Sequence, residues 1–83
     1  QIYYNRGNLF ASQKNFSRAI DDYTRAIKLD SRLAQAYYNR GLAHYYAGQE
    51  KEALRDFSRA GELGLYDAYA LSKKLSNGKT VSK

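Results

Sequence analysis

Apolar residues recur along this chain at the spacing of amphipathic helices, in blocks separated by short polar or glycine-containing segments. In the first block, Tyr3, Gly7 and Phe10 fall on one side of a helix. The second block has six such positions, Phe16, Ala19, Ile20, Tyr23, Ala26 and Ile27. The pattern predicts an all-α chain of five helices, with bounds near residues 2–12, 16–29, 33–46, 50–62 and 66–75.

The chain also repeats itself with a fixed period. The segment Tyr3-Tyr4-Asn5-Arg6-Gly7 returns unchanged as Tyr37-Tyr38-Asn39-Arg40-Gly41, a shift of 37 − 3 = 34 residues. The same shift relates Ala19 to Ala53, Asp22 to Asp56, Tyr23 to Phe57, Ala26 to Ala60 and Leu29 to Leu63. A constant period of this length indicates an array of similar helix-turn-helix units.

This unit resembles the tetratricopeptide repeat (TPR). It has the same length and the same order of marker residues: an aromatic residue and a glycine, followed by an alanine, an aromatic residue and an alanine. The resemblance covers roughly residues 1–66. It implies an all-α fold in which two antiparallel helix-turn-helix repeats and a C-terminal capping helix form a fragment of a right-handed α-solenoid.

The expected domain spans residues 1–76. Repeat one covers about 1–33, repeat two about 34–65 and the capping helix about 66–76. Residues 77–83 are predicted to be a disordered tail, because Ser76, Asn77 and Gly78 are typical of a helix end.

Small residues predict where two helices approach closely. We expect Gly7 and Ala19 to meet in the first repeat, and Gly41 and Ala53 in the second. Aromatic side chains would fill the wider parts of each helix pair, with Tyr3 and Tyr37 at the core positions of the family.

The turns depart from the family pattern, which usually has a proline between repeats. Ser31 and Leu65 take those places here, so we expect Asp30 or Ser31 to cap the third helix and Gly64 to end the fourth in a left-handed conformation. Within the repeats, Gly48 is matched by Lys14, and the neighbouring Asn15 is expected to adopt the left-handed conformation.

Composition narrows the classes of function. The 83 residues make one small domain with no cysteine, which excludes disulfides and cysteine-based metal sites. No apolar run approaches the ~18 residues that cross a bilayer, so we expect a soluble domain, with the cytoplasm slightly favoured. Because Gln1 already lies in a helical pattern, we interpret the chain as a piece of a longer protein.

Nothing in the sequence predicts an enzyme, a cofactor or a metal. His44 is the single histidine, and it matches Phe10 of the first repeat, so we expect a half-buried packing residue. Asp21 and Asp22 are adjacent and point about 100° apart on a helix, which favours solvent over shared acid-base work. Phosphate-binding loops and hydrolase motifs are absent from the sequence.

The resemblance implies a binding groove. In the TPR fold the first helix of each repeat lines a concave surface, onto which Tyr4, Asn8, Ser12, Tyr38, Leu42 and Tyr46 would face. Some TPR domains hold the C-terminal carboxylate of heat-shock chaperones with asparagines and basic residues. Asn8, Asn39 and Lys73 match this carboxylate clamp, whereas Tyr4 and Tyr69 stand where it has lysines. The candidate peptide-binding residues are therefore Tyr4, Asn8, Ser12, Tyr38, Asn39, Leu42, Tyr46 and Lys73.

These observations favour a protein–protein interaction module that binds a peptide or helix of a partner, within a scaffold or adaptor. One alternative is a basic nucleic-acid-binding module, because the net charge is +6. Half of that charge lies between residues 66 and 83, where four lysines face one aspartate (4 − 1 = +3), and the remaining basic residues are scattered. The other alternative is self-association through an uncapped edge at Ile2 and Tyr3.

Overall fold

The computed structural model describes residues 1–81, and the side chains of residues 1–76. It contains helices α1 (Ile2–Ser12), α2 (Phe16–Leu29), α3 (Ala34–Tyr46), α4 (Glu50–Glu62) and α5 (Tyr66–Val81). Over the described range no strand forms, so the all-α repeat fold is confirmed. The predicted bounds of the first four helices are confirmed to within one residue.

The fifth helix is longer than predicted. It continues to Val81, so the expected end at residues 76–78 is wrong. Gly78 costs about 1 kcal/mol relative to alanine in a helix interior, but a glycine keeps its N–H donor and the hydrogen-bond ladder can continue through it. Of the expected disordered tail, residues 77–81 are helical, and residues 82–83 lie outside the described residues.

Each helix packs on the next one along the chain, and α1 also contacts α3. Two aromatic side chains, Tyr23 and Phe57, are the largest apolar groups in the core. The rest of the core is formed by alanines, Ala19, Ala26, Ala36, Ala43, Ala53, Ala60 and Ala68. Small side chains around two large rings allow the helices to approach closely.

The predicted close contact of Gly41 with Ala53 is confirmed, the contact of Gly7 with Ala19 stays a prediction, and each glycine faces an aromatic ring. A Cβ atom added to Gly7 would lie 2.7 Å from Cε1 of Tyr23, and one added to Gly41 would lie 2.7 Å from Cε1 of Phe57. The backbone oxygen of Ala53 lies 3.2 Å from the same added atom at Gly41. No side chain fits at either glycine without moving the ring that crosses it.

Three turn residues adopt the left-handed region: Lys14 with φ 62°, Gly48 with φ 85° and Gly64 with φ 107°. The role expected of Gly64 is confirmed. The expectation for Asn15 is wrong: it has φ −90°, and its side chain caps α2 by accepting the N–H of Arg18 at 3.4 Å. Lys14 adopts the left-handed conformation because it occupies the place that Gly48 has 34 residues later.

The expected side-chain cap of α3 is also wrong. The helix starts after Leu33, which makes no capping side-chain hydrogen bond. Asp30 instead accepts the N–H of Arg32 at 3.1 Å, and the carbonyl of Ser31 accepts the hydroxyl of Tyr37 at 3.1 Å. Both residues order the turn but lie too far upstream to reach the first N–H groups of the helix.

The two adjacent acids of α2, Asp21 and Asp22, lie in different environments. Asp21 is exposed as predicted, but Asp22 is only 1% exposed, so its predicted solvent position is wrong. Arg6 donates two hydrogen bonds to the Asp22 carboxylate, at 2.7 and 2.9 Å, and Arg25 donates a third at 3.0 Å. Hydrogen bonding by Arg6 lowers the pKa of Asp22 and outweighs the opposing effect of burial. The ion pair joins α1 to α2.

The second repeat has the same buried ion pair. Arg40 donates to both oxygens of Asp56 at 2.8 Å, and Asp56 is 5% exposed. The prediction of a half-buried His44 is confirmed; its Nδ1 lies 2.7 Å from Oε1 of Gln49 and its Nε2 lies 3.7 Å from Asp56. These contacts join α3 to α4.

Candidate functional site

Helices α1 and α3 and the start of α2 enclose a pocket of about 580 Å³, here called the groove pocket. It is lined by Asn8, Ala11, Ser12, Lys14, Phe16, Tyr23, Asn39, Leu42, Ala43 and Tyr46. Five of the eight candidate residues are therefore brought together, namely Asn8, Ser12, Asn39, Leu42 and Tyr46. The pocket opens to solvent between the first helices of the two repeats.

Hydrogen bonds between side chains form the polar end of the groove pocket. Nδ2 of Asn39 donates to Oδ1 of Asn8 at 2.9 Å and to the hydroxyl of Tyr4 at 3.2 Å. The Tyr23 hydroxyl donates to the same Asn8 oxygen at 2.5 Å. Among the residues that the structure describes, Nδ2 of Asn8 has no partner and remains available to a ligand.

The protonation of Tyr23 keeps this network in one state. Burial, together with the nearby Tyr4, raises the pKa of Tyr23 to about 12, against a smaller lowering effect of a hydrogen bond with Asn39. At neutral pH the hydroxyl is therefore protonated and donates to Asn8. The Asn8 carbonyl is in this way committed as an acceptor, and its amide nitrogen faces outward as a donor.

Aromatic and aliphatic side chains form the apolar part of the groove pocket. The rings of Phe16 and Tyr46 stack with their centroids 5.7 Å apart and an interplanar angle of 28°. Tyr46 is 65% exposed, so it has a large uncovered surface at the rim. Phe16 was missed as a groove residue, because helical periodicity assigned it to the core of its own repeat. Its position at the start of α2, beside α3, is a property of tertiary packing.

Lys14 was also missed. It is exposed, and it is the only residue with a formal charge among those that line the groove pocket. The one sequence signal that could have found it is its alignment with Gly48, since a lysine at a glycine position of a turn calls for a reason other than folding.

Two candidate tyrosines do not line the groove pocket. Tyr4 packs on Tyr23, with ring centroids 6.1 Å apart, and reaches the network only through its hydroxyl. Tyr38, its equivalent in the second repeat, packs on Phe57 at 5.7 Å. Both are half-buried and support the core aromatics from the groove side.

Lys73 does not line the groove pocket either, and its ammonium lies 5.6 Å from the centroid of the Tyr69 ring. The reason is the register of α5. The hydrogen bond from Ala68 N–H to the Leu65 carbonyl repeats the one from Ala36 N–H to the Leu33 carbonyl, both at 3.0 Å. That shift is 68 − 36 = 32 residues, whereas an alignment of the chain on itself assumes 34.

The shorter shift has two sources, because α4 has 13 residues against 14 in α2 and the connection after it is also one residue shorter. Residues 30–33 join α2 to α3, and the shorter segment 63–65 joins α4 to α5. At a shift of 32, Lys73 corresponds to Gly41 and Lys74 to Leu42. Lys74 is thus the basic residue of α5 at a groove position, and Lys73 stands at the position that in α3 faces the following helix.

Tyr3 and Tyr37 lie outside the core, contrary to expectation. Both rings are half-buried and covered by arginines. The guanidinium carbons of Arg6 and Arg25 lie 5.7 and 5.9 Å from the Tyr3 centroid. Arg40 and Arg59 repeat this arrangement on Tyr37 at the same distances. Three of these arginines, Arg6, Arg25 and Arg40, also bind the buried acids, whereas Arg59 pairs with Glu62.

The same arginines show which face of α1 is uncovered. Arg40 of α3 donates from Nη1 to Oγ1 of Thr24 on α2, at 3.1 Å, and its side chain is 20% exposed. Arg6, its equivalent in α1, has a side chain that is 51% exposed. Arg6 and Phe10 line a second concavity of about 290 Å³ on this face.

The described residues were also compared with the requirements of a membrane span and of a metal site. Within residues 1–81, no helix combines the length and the apolar character that a membrane span requires. In the same part of the chain, no group of three or more His, Asp or Glu side chains is placed to hold a metal ion.

Comparison with known proteins identifies a family. A family model described as "TPR repeat" matches residues 7–48, and a second one, "Tetratricopeptide repeat", matches residues 34–64. The chain is 34% identical over 59 residues to the photosystem I assembly protein Ycf3 of Acaryochloris marina, covering 71% of this chain and 36% of that protein.

Two further relatives are much longer proteins. The chain is 35% identical over 57 residues to an NADPH oxidase activator of Dictyostelium discoideum, covering 69% of this chain and 9% of that protein. It is 31% identical over 83 residues to the human serine/threonine-protein phosphatase 5, covering 99% of this chain and 17% of that protein. The chain therefore spans about a third or less of the length of these relatives.

Proposed function

This chain belongs to the tetratricopeptide repeat family, and from that premise we propose that it binds a peptide or helical segment of a partner protein in its concave groove. The observation that carries the proposal is the groove pocket itself, which has an apolar middle, a free amide donor on Asn8 and an exposed Tyr46 at its rim. Pockets of this kind, mostly apolar with a few directed polar groups, are typical binding sites.

The relatives support the same class of function. One is named as an assembly protein and another as an activator. Because the chain covers only a fraction of each, we propose that it acts as the interaction part of a larger scaffold or adaptor.

The affinity should be modest. Two repeats offer less contact area than the ~800 Å² per partner of a standard interface, so micromolar binding, roughly −8 kcal/mol, is expected. Tyr46 is the aromatic anchor, since its ring is both exposed and held by the stack on Phe16. Tyr4 and Tyr38 are less suited to this role, because their rings pack on Tyr23 and Phe57.

The test is selection of random peptides displayed on phage, with the wild-type chain and Leu42→Asp immobilised in parallel. Leu42→Asp places a carboxylate in the groove pocket, and Leu29→Asp is the matched control because Leu29 is 68% exposed and does not line it. Circular dichroism confirms that each variant is folded. Wild type and Leu29→Asp should enrich the same peptides and Leu42→Asp should not; equal enrichment on all three surfaces would contradict the proposal.

A second candidate function is self-association, and the exposed Arg6 face of α1 favours it. In the second repeat the equivalent face is covered by α2, with Thr24 accepting from Arg40. A helix of a second copy could cover the face of α1 in the same way. Sedimentation over a range of concentrations tests this: Ile2→Asp, at a residue 75% exposed on this edge, should shift a dimer to monomer. A wild-type chain that stays monomeric up to millimolar concentration would exclude self-association.

A further inference from the structure

The groove pocket has a cationic end that its family resemblance did not predict. We infer that the groove selects segments in which an apolar side chain lies within a few residues of an internal Asp or Glu, and that Lys14 recognises the acid. This inference rests on the proposed peptide-binding function and deepens it by naming the chemistry of the partner.

The backbone of Lys14 is the first observation. Of the three described residues with positive φ, Gly48 and Gly64 are glycines, and Lys14, at 62°, is the exception. An L-residue in the left-handed region costs free energy that glycine does not pay. The turn after α3 shows that the fold needs no side chain at this position. Residues held in such conformations concentrate at sites that bind ligands.

The charge of Lys14 is the second observation. No aspartate or glutamate lines the groove pocket, and none of the described carboxylates pairs with the Lys14 ammonium. Tyr23, one of the two tyrosines that line the pocket, is neutral at pH 7, since burial raises its pKa to about 12. The groove pocket therefore carries one uncompensated positive charge, which favours an anionic partner.

The order of groups along the pocket is the third observation. Asn8 lies on α1 six residues before Lys14, which is in the turn that follows, and the apolar side chains of Leu42 and the Phe16–Tyr46 stack line the same pocket. Asn8 and Ser12 are separated by a rise of about 6 Å along α1. An extended peptide advances about 3.3 Å per residue. A carboxylate at Lys14 thus lies about two to four residues from a carbonyl that accepts from Asn8.

This arrangement differs from a clamp for a terminal carboxylate. The two asparagines are hydrogen-bonded to each other, and the register of α5 moves Lys73 away from the groove positions. The positive charge comes instead from the turn between α1 and α2. A side-chain carboxylate inside a segment, beside an apolar anchor, fits this order of groups.

The experiment extends the selection of displayed twelve-residue peptides to four immobilised chains: wild type, Lys14→Gly, Lys14→Arg and Lys51→Ala. Lys14→Gly removes the charge and suits the backbone, so its melting temperature should be unchanged or higher. Lys14→Arg keeps the charge, and Lys51→Ala is the matched control at an exposed lysine of α4. One peptide enriched on wild type is then synthesised with both ends blocked, and its binding is measured in low and high salt.

Wild type, Lys14→Arg and Lys51→Ala should enrich peptides with Asp or Glu within four residues of an apolar residue. Lys14→Gly should keep the apolar preference, lose the acidic one and bind the synthesised peptide about 3- to 10-fold more weakly, a difference that 0.5 M salt removes. Enriched peptides without an acidic excess, or an unchanged affinity of Lys14→Gly, would overturn this inference and leave peptide binding intact. No enrichment above the Leu42→Asp surface would overturn peptide binding itself, and the inference with it.

Discussion

The amide of Asn39 donates a hydrogen bond to the side-chain oxygen of Asn8, 2.9 Å away and 31 residues earlier in the chain. Two residues that the family resemblance assigns to ligand binding are thus bound to each other across the two repeats. Their hydrogen bond links α1 to α3 in the wall of the groove pocket. The asparagines therefore have a structural role in addition to any role in binding.

Asn39→Ala should lower the free energy of unfolding by ~1–2 kcal/mol, because it removes the donor to both Asn8 and Tyr4. Urea denaturation measures the effect. Gln35→Ala is the control, since Gln35 is exposed on the same helix and makes only a 3.4 Å contact with Asn39. Equal stabilities of the two variants would show that the network contributes nothing to folding.

Gly41→Leu should be among the most damaging single substitutions. Even a Cβ at this position meets Phe57 at 2.7 Å, so a larger side chain must separate α3 from α4, at a cost of ~1–3 kcal/mol or more. Arg55→Ala, at an exposed position of α4, should change stability by less than ~0.5 kcal/mol. Thermal melts of both variants followed by circular dichroism provide the comparison, and similar melting temperatures would contradict the contact.

Lys14→Gly should raise the free energy of unfolding by up to ~1 kcal/mol. The left-handed backbone at φ 62° is strained for lysine, whereas glycine adopts it freely and offsets part of the gain by its greater freedom in the unfolded chain. Lys28→Gly is the matched control within α2, where glycine should cost ~1 kcal/mol. Urea midpoints that shift in the same direction for both variants would argue against strain at Lys14.

Stability should fall in alkaline solution because of Tyr23. Its pKa is raised to about 12 in the folded chain from the ordinary value of 10.0, so the folded state holds the proton more tightly than the unfolded state. The resulting stabilisation is complete below pH 10 and is lost as the pH rises from about 10 to 12, by roughly 1–3 kcal/mol. Tyr23→Phe cannot ionise at this position, so its unfolding free energy should fall less over the same range. Parallel pH profiles of the two proteins would refute the assignment.

The sequence was sufficient to predict the fold, because the two repeats are related by a constant 34-residue period and each contains the apolar pattern of two helices. It was insufficient to predict the burial of the acids. Arg6 pairs with Asp22 across two helices, 16 positions apart in the chain, and a pattern along one helix cannot show such a pair. Periodicity also misplaced Lys73, because α4 and the connection after it are each one residue shorter than their counterparts, which changes the shift from 34 to 32. Lys14 was not predicted because its alignment with Gly48 is a weak signal, and its left-handed backbone is visible only in the structure.

The register of α5 has a consequence for engineering longer arrays. A helix that packed on α5 as α4 packs on α3 would meet the Lys73 side chain where α3 has Gly41, a position at which even one added carbon lies 2.7 Å from the crossing ring. Appending consensus units directly after α5 would therefore meet a steric stop. A design that packs a further helix on α5 in this way would need to restore one residue in α4 and one in the 63–65 connection, and to place glycine at position 73.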